Sequence, residues 1–232
     1  MNFIVLFLTT LLSTVSILVA ADPELAIKGK SLLAVDFKSL PENWKAAKGG
    51  WQVKDGVLVG VEKPDDKHAA AIRSAFLFQD AVITFEYKFA GGKALSFSIN
   101  DEKEHVARLM ITPNDFQARK DDHDHGGPDK PSLFQKAELK SGSEWQKVTI
   151  ALVGNEIWTR VGDKVSFGAD DLFKVKKANI GLTVNGEGVA FRNLEIFEAT
   201  LNPEWAGARE EMKKKYPIAA PAGKPKAAAK DS

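Results

Sequence analysis

The chain has 232 residues, of which 44% are hydrophobic and 27% charged, a composition that suits one globular domain with a substantial core. Its formal net charge of +1 argues against nucleic acid or an anionic membrane as the partner. The absence of cysteine from the sequence excludes disulfides, thiolate metal sites and a cysteine nucleophile.

The N-terminal segment is almost wholly apolar and carries no charged side chain over its first 20 residues. Val19 and Ala21 offer the small residues that precede a cleavage site, so the segment predicts a secretory signal peptide over residues 1–21. An uncleaved membrane anchor is the alternative, because about 20 apolar residues can span a bilayer. We favour cleavage, since Thr and Ser residues dilute the segment and a processing site follows it. The mature chain is then expected to have no membrane span.

Residues 22–200 alternate between apolar and polar side chains nearly throughout, which is the period of β-strands. The dipeptide Asp55-Gly56 lies between two apolar runs and predicts a tight hairpin. In VITFEYKF, Ile83 and Phe85 share one face while Thr84 lies on the other. About a dozen such runs, separated by turn residues, predict an all-β fold, an antiparallel β-sandwich or jelly roll.

The C-terminal part changes character and predicts a short helix over residues 201–216. Asn202 suits the N-cap position and Pro203 the first helical position. An apolar stripe at helical spacing is expected to pack on the sandwich; it consists of Trp205, Ala208 and Met212. Residues 217–232 have no large apolar residue after Ile218 and predict a disordered Ala/Pro/Lys tail.

Three motifs resemble those of the 3-keto-disaccharide hydrolase domain family. They are WQVKDGVLVG from Trp51, ITFEYKFAGG from Ile83 and the closing hairpin IGLTVNGEGVAFRNLEIFEA, which ends at Ala199. The resemblance implies a concanavalin A-like jelly roll, a bacterial protein that is secreted or held in the periplasm or cell envelope, and activity on glycosides oxidised at the 3-position. Of the matched positions, Glu86 lies on a polar face and is the candidate for chemistry, whereas Phe191-Arg192-Asn193 is interpreted as structural.

The predicted strands also present a polar face that suits a carbohydrate ligand. Its members are Glu86, Lys88, Ser96, Ser98, Asn100, Arg108, Gln117 and Arg119. Two arginines and a glutamine beside hydroxyl groups can hydrogen-bond sugar hydroxyls and carboxylates. The alternative is the ordinary solvated face of a half-exposed antiparallel sheet.

The loop RKDDHDHGGPDKP, residues 119–131, leaves this face and crowds two of the four histidines together. Lys120, Asp122 and Asp124 are predicted to border the ligand site, with His123 and His125 as candidate acid–base residues. The two imidazoles are also weak candidates for a divalent metal, but no third ligand is evident and no cofactor is assigned. We favour a loop that borders the site without holding a metal. His105, near a strand end, is interpreted as locally hydrogen-bonded.

Three functions therefore remain open from the sequence. The first is a secreted carbohydrate-active protein that acts on (keto-)glycosides, with Glu86, His123 and His125 as catalytic residues. The second is a non-catalytic glycan-binding module of the cell envelope or extracellular space, whose Arg108, Gln117 and Arg119 hold hydroxyls or acidic groups. A third is an accessory envelope protein whose basic tail binds polyanions.

Overall fold

The computed structural model describes residues 22–103, 105–121 and 132–216. The predictions for the signal peptide 1–21, the loop residues 122–131 and the tail 217–232 lie outside the described residues and stay predictions.

The described part of the chain folds into two antiparallel sheets. The first sheet contains β1 (Ala26–Val35), β3 (Gly50–Lys54), β4 (Val57–Val61), β6 (Ala81–Phe89), β11 (Gln146–Val153), β12 (Glu156–Val161), β13 (Lys164–Ala169) and β15 (Val189–Leu201). The second contains β2 (Trp44–Lys48), β5 (Ala70–Phe78), β7 (Gly92–Asn100), β8 (His105–Ile111), β9 (Asp115–Lys120), β10 (Ser132–Glu138) and β14 (Lys177–Gly186). Short 3-10 turns lie at Pro64–Asp66 and Asp171–Lys174. The all-β class predicted from the alternation is confirmed.

Strand order explains how one chain builds both layers. The first sheet runs β13-β12-β11-β6-β15-β4-β3, with β1 also pairing to the long β15. The second runs β10-β9-β8-β7-β14-β5-β2. Consecutive strands β6 and β7 are joined across Ala90-Gly91 but belong to different sheets, so the chain crosses the sandwich at this turn.

The core lies between the sheets and is built from the alternate apolar residues of both. Ile83, Phe85 and Tyr87 of β6 face Phe97 and its neighbours on β7, and all are buried. The rings of Phe85 and Phe97 stack at 5.0 Å and thereby join the two layers. Because successive side chains of a strand point to opposite faces, the polar residues between these apolar ones must lie on the outer faces.

Helix α1 (Pro203–Lys215) covers part of the outer face of the first sheet. It begins where predicted, since the Asn202 Oδ1 atom accepts a hydrogen bond of 3.0 Å from the Glu204 amide. Trp205 is fully buried and meets Phe167 edge-on at 5.1 Å. The helix therefore seals an apolar patch that a sandwich alone would expose to water. Among the described residues, no helix is long and apolar enough to cross a membrane.

Candidate functional site

A row of basic and small residues crosses the outer face of the second sheet. Strand pairing places its members side by side, in the order Lys45, Arg73, Gly181, Ser98, Arg108 and Arg119. Each neighbours a core residue along its own strand, as Ser98 does between Phe97 and Ile99, so the whole row points away from the core. We refer to these six residues as the arginine row.

One buried carboxylate lies between two arginines of the row. The Asp121 Oδ2 atom is 2.8 Å from Arg108 Nε, and its Oδ1 atom is 3.4 Å from Arg119 Nη2. The shorter contact lacks the alignment of a hydrogen bond and is best described as an ion pair. Asp121 is 0% exposed and is anchored to β8 by its amide, which donates to Val106 O at 3.1 Å.

Burial is the main influence on the charge of Arg108 within the row. Loss of hydration lowers the pKa of the Arg108 guanidinium, Asp121 opposes this effect, and the like charges of Arg119 and Arg73 add to it. Sequence reasoning found Arg108 and Arg119 but missed Asp121, which stands at the start of the acidic loop. The sequence feature that could have identified Asp121 is its position directly after the last residue of β9.

Hydroxyl and amide groups form the floor beside the row. Asn100 is buried, and its Nδ2 atom donates to Asn179 Oδ1 at 2.6 Å and to Ser98 Oγ at 3.4 Å. Ser98 Oγ in turn donates to the Gly181 carbonyl at 3.5 Å. Ser96, only 9% exposed, has a buried hydroxyl with no hydrogen-bond partner among the described residues. A buried hydroxyl without a partner is costly unless water or a ligand satisfies it.

His105 extends this network. Its Nδ1 atom lies 2.5 Å from Asn100 Oδ1. Since the Asn100 amide nitrogen donates to Asn179, the oxygen faces His105 and accepts from an Nδ1–H group. A neutral imidazole that donates from Nδ1 carries its lone pair on Nε2, and that nitrogen could then act as a base. The local hydrogen bond interpreted from the sequence is present, but its role in setting the tautomer was not foreseen.

Glu86 lies on the other side of the molecule. It belongs to β6 of the first sheet, where its Oε2 atom accepts a 2.5 Å hydrogen bond from Arg192 Nε on the adjacent β15. The Arg192 guanidinium also stacks 4.1 Å from the Trp145 ring. The expectation that Glu86 and Lys88 share one polar face with Ser98 and Arg108 is wrong, because β6 and β7 contribute to different sheets. The catalytic assignment of Glu86 itself stays a prediction.

The Phe191-Arg192-Asn193 motif occupies structural positions. Phe191 is buried in the core and lies 6.4 Å from Phe85, while Arg192 holds Glu86. Asn193 has a φ of 52° at a break in the pairing of β15 with β6, a left-handed conformation that asparagine tolerates better than most residues. These positions agree with the structural interpretation of the motif.

Other predicted ligand residues divide between the two faces of β9. Gln117 lies on the outer face, paired with Met110 in the row next to Ser96. Lys120 alternates to the opposite face from Arg119, and its Nζ atom is 3.2 Å from Asp170 Oδ2. The expectation that Lys120 borders the ligand face is therefore wrong.

The predicted loop residues cannot be compared with these positions. Asp122, His123, Asp124 and His125 lie outside the described residues, as does their candidate divalent metal. Within the described ranges, no three His, Asp or Glu side chains are grouped so that they could hold a metal ion.

The architecture is that of an antiparallel β-sandwich of the jelly-roll type, and its second sheet presents a polar outer face. Residues 31–197 match the family described as the 3-keto-alpha-glucoside-1,2-lyase-like domain. The chain belongs to this family, which confirms the resemblance seen in its three motifs. No curated protein matches the sequence.

Several solved structures share the fold at low identity. The CBM2 module of the evolved Dit protein from Lactobacillus casei BL23 phage J-1 is 9% identical, with 75% of this chain and 98% of that chain covered and a TM-score of 0.60. The carbohydrate-binding module CBM66 of Bacillus subtilis is 13% identical, with 67% and 96% covered and a TM-score of 0.54. The Bacillus licheniformis beta-glucanase is 12% identical, with 73% and 98% covered and a TM-score of 0.53. At such identities the likeness shows the fold alone.

Proposed function

We propose that this protein is an exported carbohydrate-active protein that binds a glycoside on the outer face of its second sheet. The observation that carries the proposal is the arginine row over a floor of buried hydroxyl and amide groups. The family match and structural neighbours named as carbohydrate-binding modules and glucanases support it.

The chemistry of the face suits a polyhydroxylated ligand. Guanidinium groups supply several N–H donors in a planar fork, whereas the floor supplies hydroxyls that both donate and accept. Arg108 and Arg119 are held in place by Asp121, which reduces the freedom they would lose on binding. The Ser96 hydroxyl, which lacks a partner in the described structure, would gain one from a sugar hydroxyl.

Binding can be tested by calorimetric titration of the whole chain with a methyl glucoside and its 3-keto derivative. Arg108→Gln is expected to weaken binding about tenfold or more, because it removes charge-assisted hydrogen bonds. Arg160→Gln is the matched control, since Arg160 lies on the first sheet with its Nη1 atom 2.9 Å from Glu24. Equal affinity of the parent and both variants, with unchanged circular dichroism, would count against this face as the binding site.

Elimination from a 3-keto-glycoside is the second candidate function, favoured by the tautomer of His105. The 3-keto group acidifies the C2 proton, and a base at Nε2 could remove it. The electron pair then forms the C1=C2 bond as the C1–O bond breaks, and the imidazolium returns the proton to the departing oxygen. Arg108 and Arg119 would stabilise the enolate that develops at the keto oxygen.

This second function has its own measurement. His105→Gln is expected to abolish formation of the unsaturated ketone, followed by its ultraviolet absorbance, while calorimetric affinity for the 3-keto-glycoside is retained. Glu86→Gln serves as the comparison, because Glu86 lies on the other sheet. Turnover that survives His105→Gln but is lost in Glu86→Gln would reverse the assignment. Binding without turnover by the parent protein would leave the glycan-binding function alone.

A further inference from the structure

The arginine row carries more positive charge than the described structure neutralises. Asp121 is the carboxylate paired to Arg108 and Arg119, so one negative charge is shared by two guanidinium groups. Arg73 is exposed and has no ion pair among the described residues, and Lys45 beside it is likewise exposed and unpaired there. Of the six members of the row, four are basic.

Two of the arginines lie on either side of a stretch of the sheet that carries only small residues. Arg73 and Arg108 are separated by two strands, so their Cα atoms lie about 14 Å apart at ordinary interstrand spacing. The positions between them belong to Gly181 and Ser98. A Cβ atom at Gly181 would meet Ser98 Oγ at 2.6 Å and Arg73 Cγ at 3.5 Å, so any larger residue would fill the floor at this point. The long arginine side chains can reach over this gap from both sides.

Keeping like charges together on a partly buried face is unfavourable by itself. The Arg108 side chain is only 22% exposed and is close enough to Arg119 and Arg73 for their charges to disfavour its own. A neutral sugar would offer hydroxyl acceptors but would leave the excess charge in place. An anionic group between the arginines would neutralise it, and a carboxylate or sulfate matches the planar fork of a guanidinium.

We propose that the ligand of this face is an acidic saccharide, whose carboxylate or sulfate group is held between Arg73 on one side and Arg108 with Arg119 on the other. This inference rests on the proposed function, in that it specifies the class of sugar bound at the same face. It also assigns a role to Arg73, which the sequence pattern did not single out.

The test compares three trisaccharides by calorimetric titration of the whole chain: a galacturonate trimer, a sulfated galactose trimer and a neutral glucose trimer. At least one acidic trimer is expected to bind about tenfold or more tightly than the neutral one, and its advantage should shrink as salt is raised. Comparison of the galacturonate trimer with the sulfated trimer shows whether a carboxylate or a sulfate is preferred.

Arg73→Gln is the decisive variant, because an exposed arginine can be replaced without disturbing the core. It should remove most of the preference for the acidic trimer, so that the acidic and neutral trimers bind the variant with nearly equal affinity. Lys54→Gln is the matched control, since Lys54 is an exposed and unpaired cation on the first sheet within the described structure. Equal affinity for acidic and neutral trimers, or a preference that survives Arg73→Gln, would overturn the inference but not the proposed function. If none of the three trimers binds, the inference is overturned, and the titration with the methyl glucoside and its 3-keto derivative decides the proposed function separately.

Discussion

Lys177 provides a test of the structure that does not depend on any ligand. Its side chain is fully buried at the start of β14, and its Nζ atom donates to the Phe173 carbonyl at 2.5 Å. Burial lowers the pKa of this amine from 10.5 to about 8, an effect that Asp80 only partly opposes. The test is therefore to measure stability while the pH is raised through the range between about 8 and 10.5.

The direction in which stability changes with pH follows from the number of protons bound in the folded and unfolded states. Below pH 8 both the folded and the unfolded chain hold the Lys177 proton, and folding carries the full cost of burying the charge. Between pH 8 and 10.5 the unfolded chain still binds the proton while the folded chain has released it, so stability rises with pH. At about 1.4 kcal/mol per pH unit, the full cost is about 3 kcal/mol. About 2 kcal/mol of it should be relieved between about pH 7 and 9.5.

Urea unfolding followed by fluorescence at several pH values measures this effect, with Lys177→Met as the control. The parent protein should gain stability across the window, whereas the variant should stay level. The window should end near pH 9.5, because burial raises the pKa of Tyr87 and its titration would lower stability above about pH 10. Parallel profiles for the parent and Lys177→Met would refute the burial of a charged amine at this position.

Four further outcomes are expected. Trp205→Ala should lower the unfolding free energy by about 3–5 kcal/mol in urea titrations, because its indole is fully buried between α1 and the first sheet. Asp121→Asn should cost about 3 kcal/mol by the same measurement, since it leaves two arginines without a carboxylate on a partly buried face. Glu86→Gln should cost at most about 1 kcal/mol, because its ion pair with Arg192 is part-exposed, and it should leave trisaccharide affinity unchanged, because both residues lie on the first sheet. Mass spectrometry of the exported protein should find an N-terminus near residue 22; a mass that includes residues 1–21 would indicate an anchor instead.

Two family motifs meet on the first sheet, and one of them also reaches the arginine row through Gly181. Glu86 and Arg192 come from two motifs that carry the family resemblance, and they pair with each other across β6 and β15. Their contact, with Trp145 stacked on the arginine, braces the first sheet. The residues that could select a ligand lie on the second sheet.

Much of the architecture could be read from local patterns. The alternation in β6 and β7 correctly separated inward residues such as Phe85 and Phe97 from outward ones such as Ser98, because side-chain direction depends only on the backbone of each strand. The helix at Pro203–Lys215 was predictable for a similar reason, since its cap and apolar stripe are local signals. These features need no knowledge of which strands become neighbours.

The composition of the site depends on which strands become neighbours, and the local pattern does not contain that information. Glu86 and Ser98 are twelve positions apart, yet the crossing at Ala90-Gly91 puts them on opposite outer faces. Arg73 reaches the row only because β14 lies between β5 and β7, with Gly181 as the shared neighbour. Strand pairing of this kind is decided by packing and hydrogen bonding between distant segments, so the sequence determined which residues face outward, and the tertiary structure decided which of them meet.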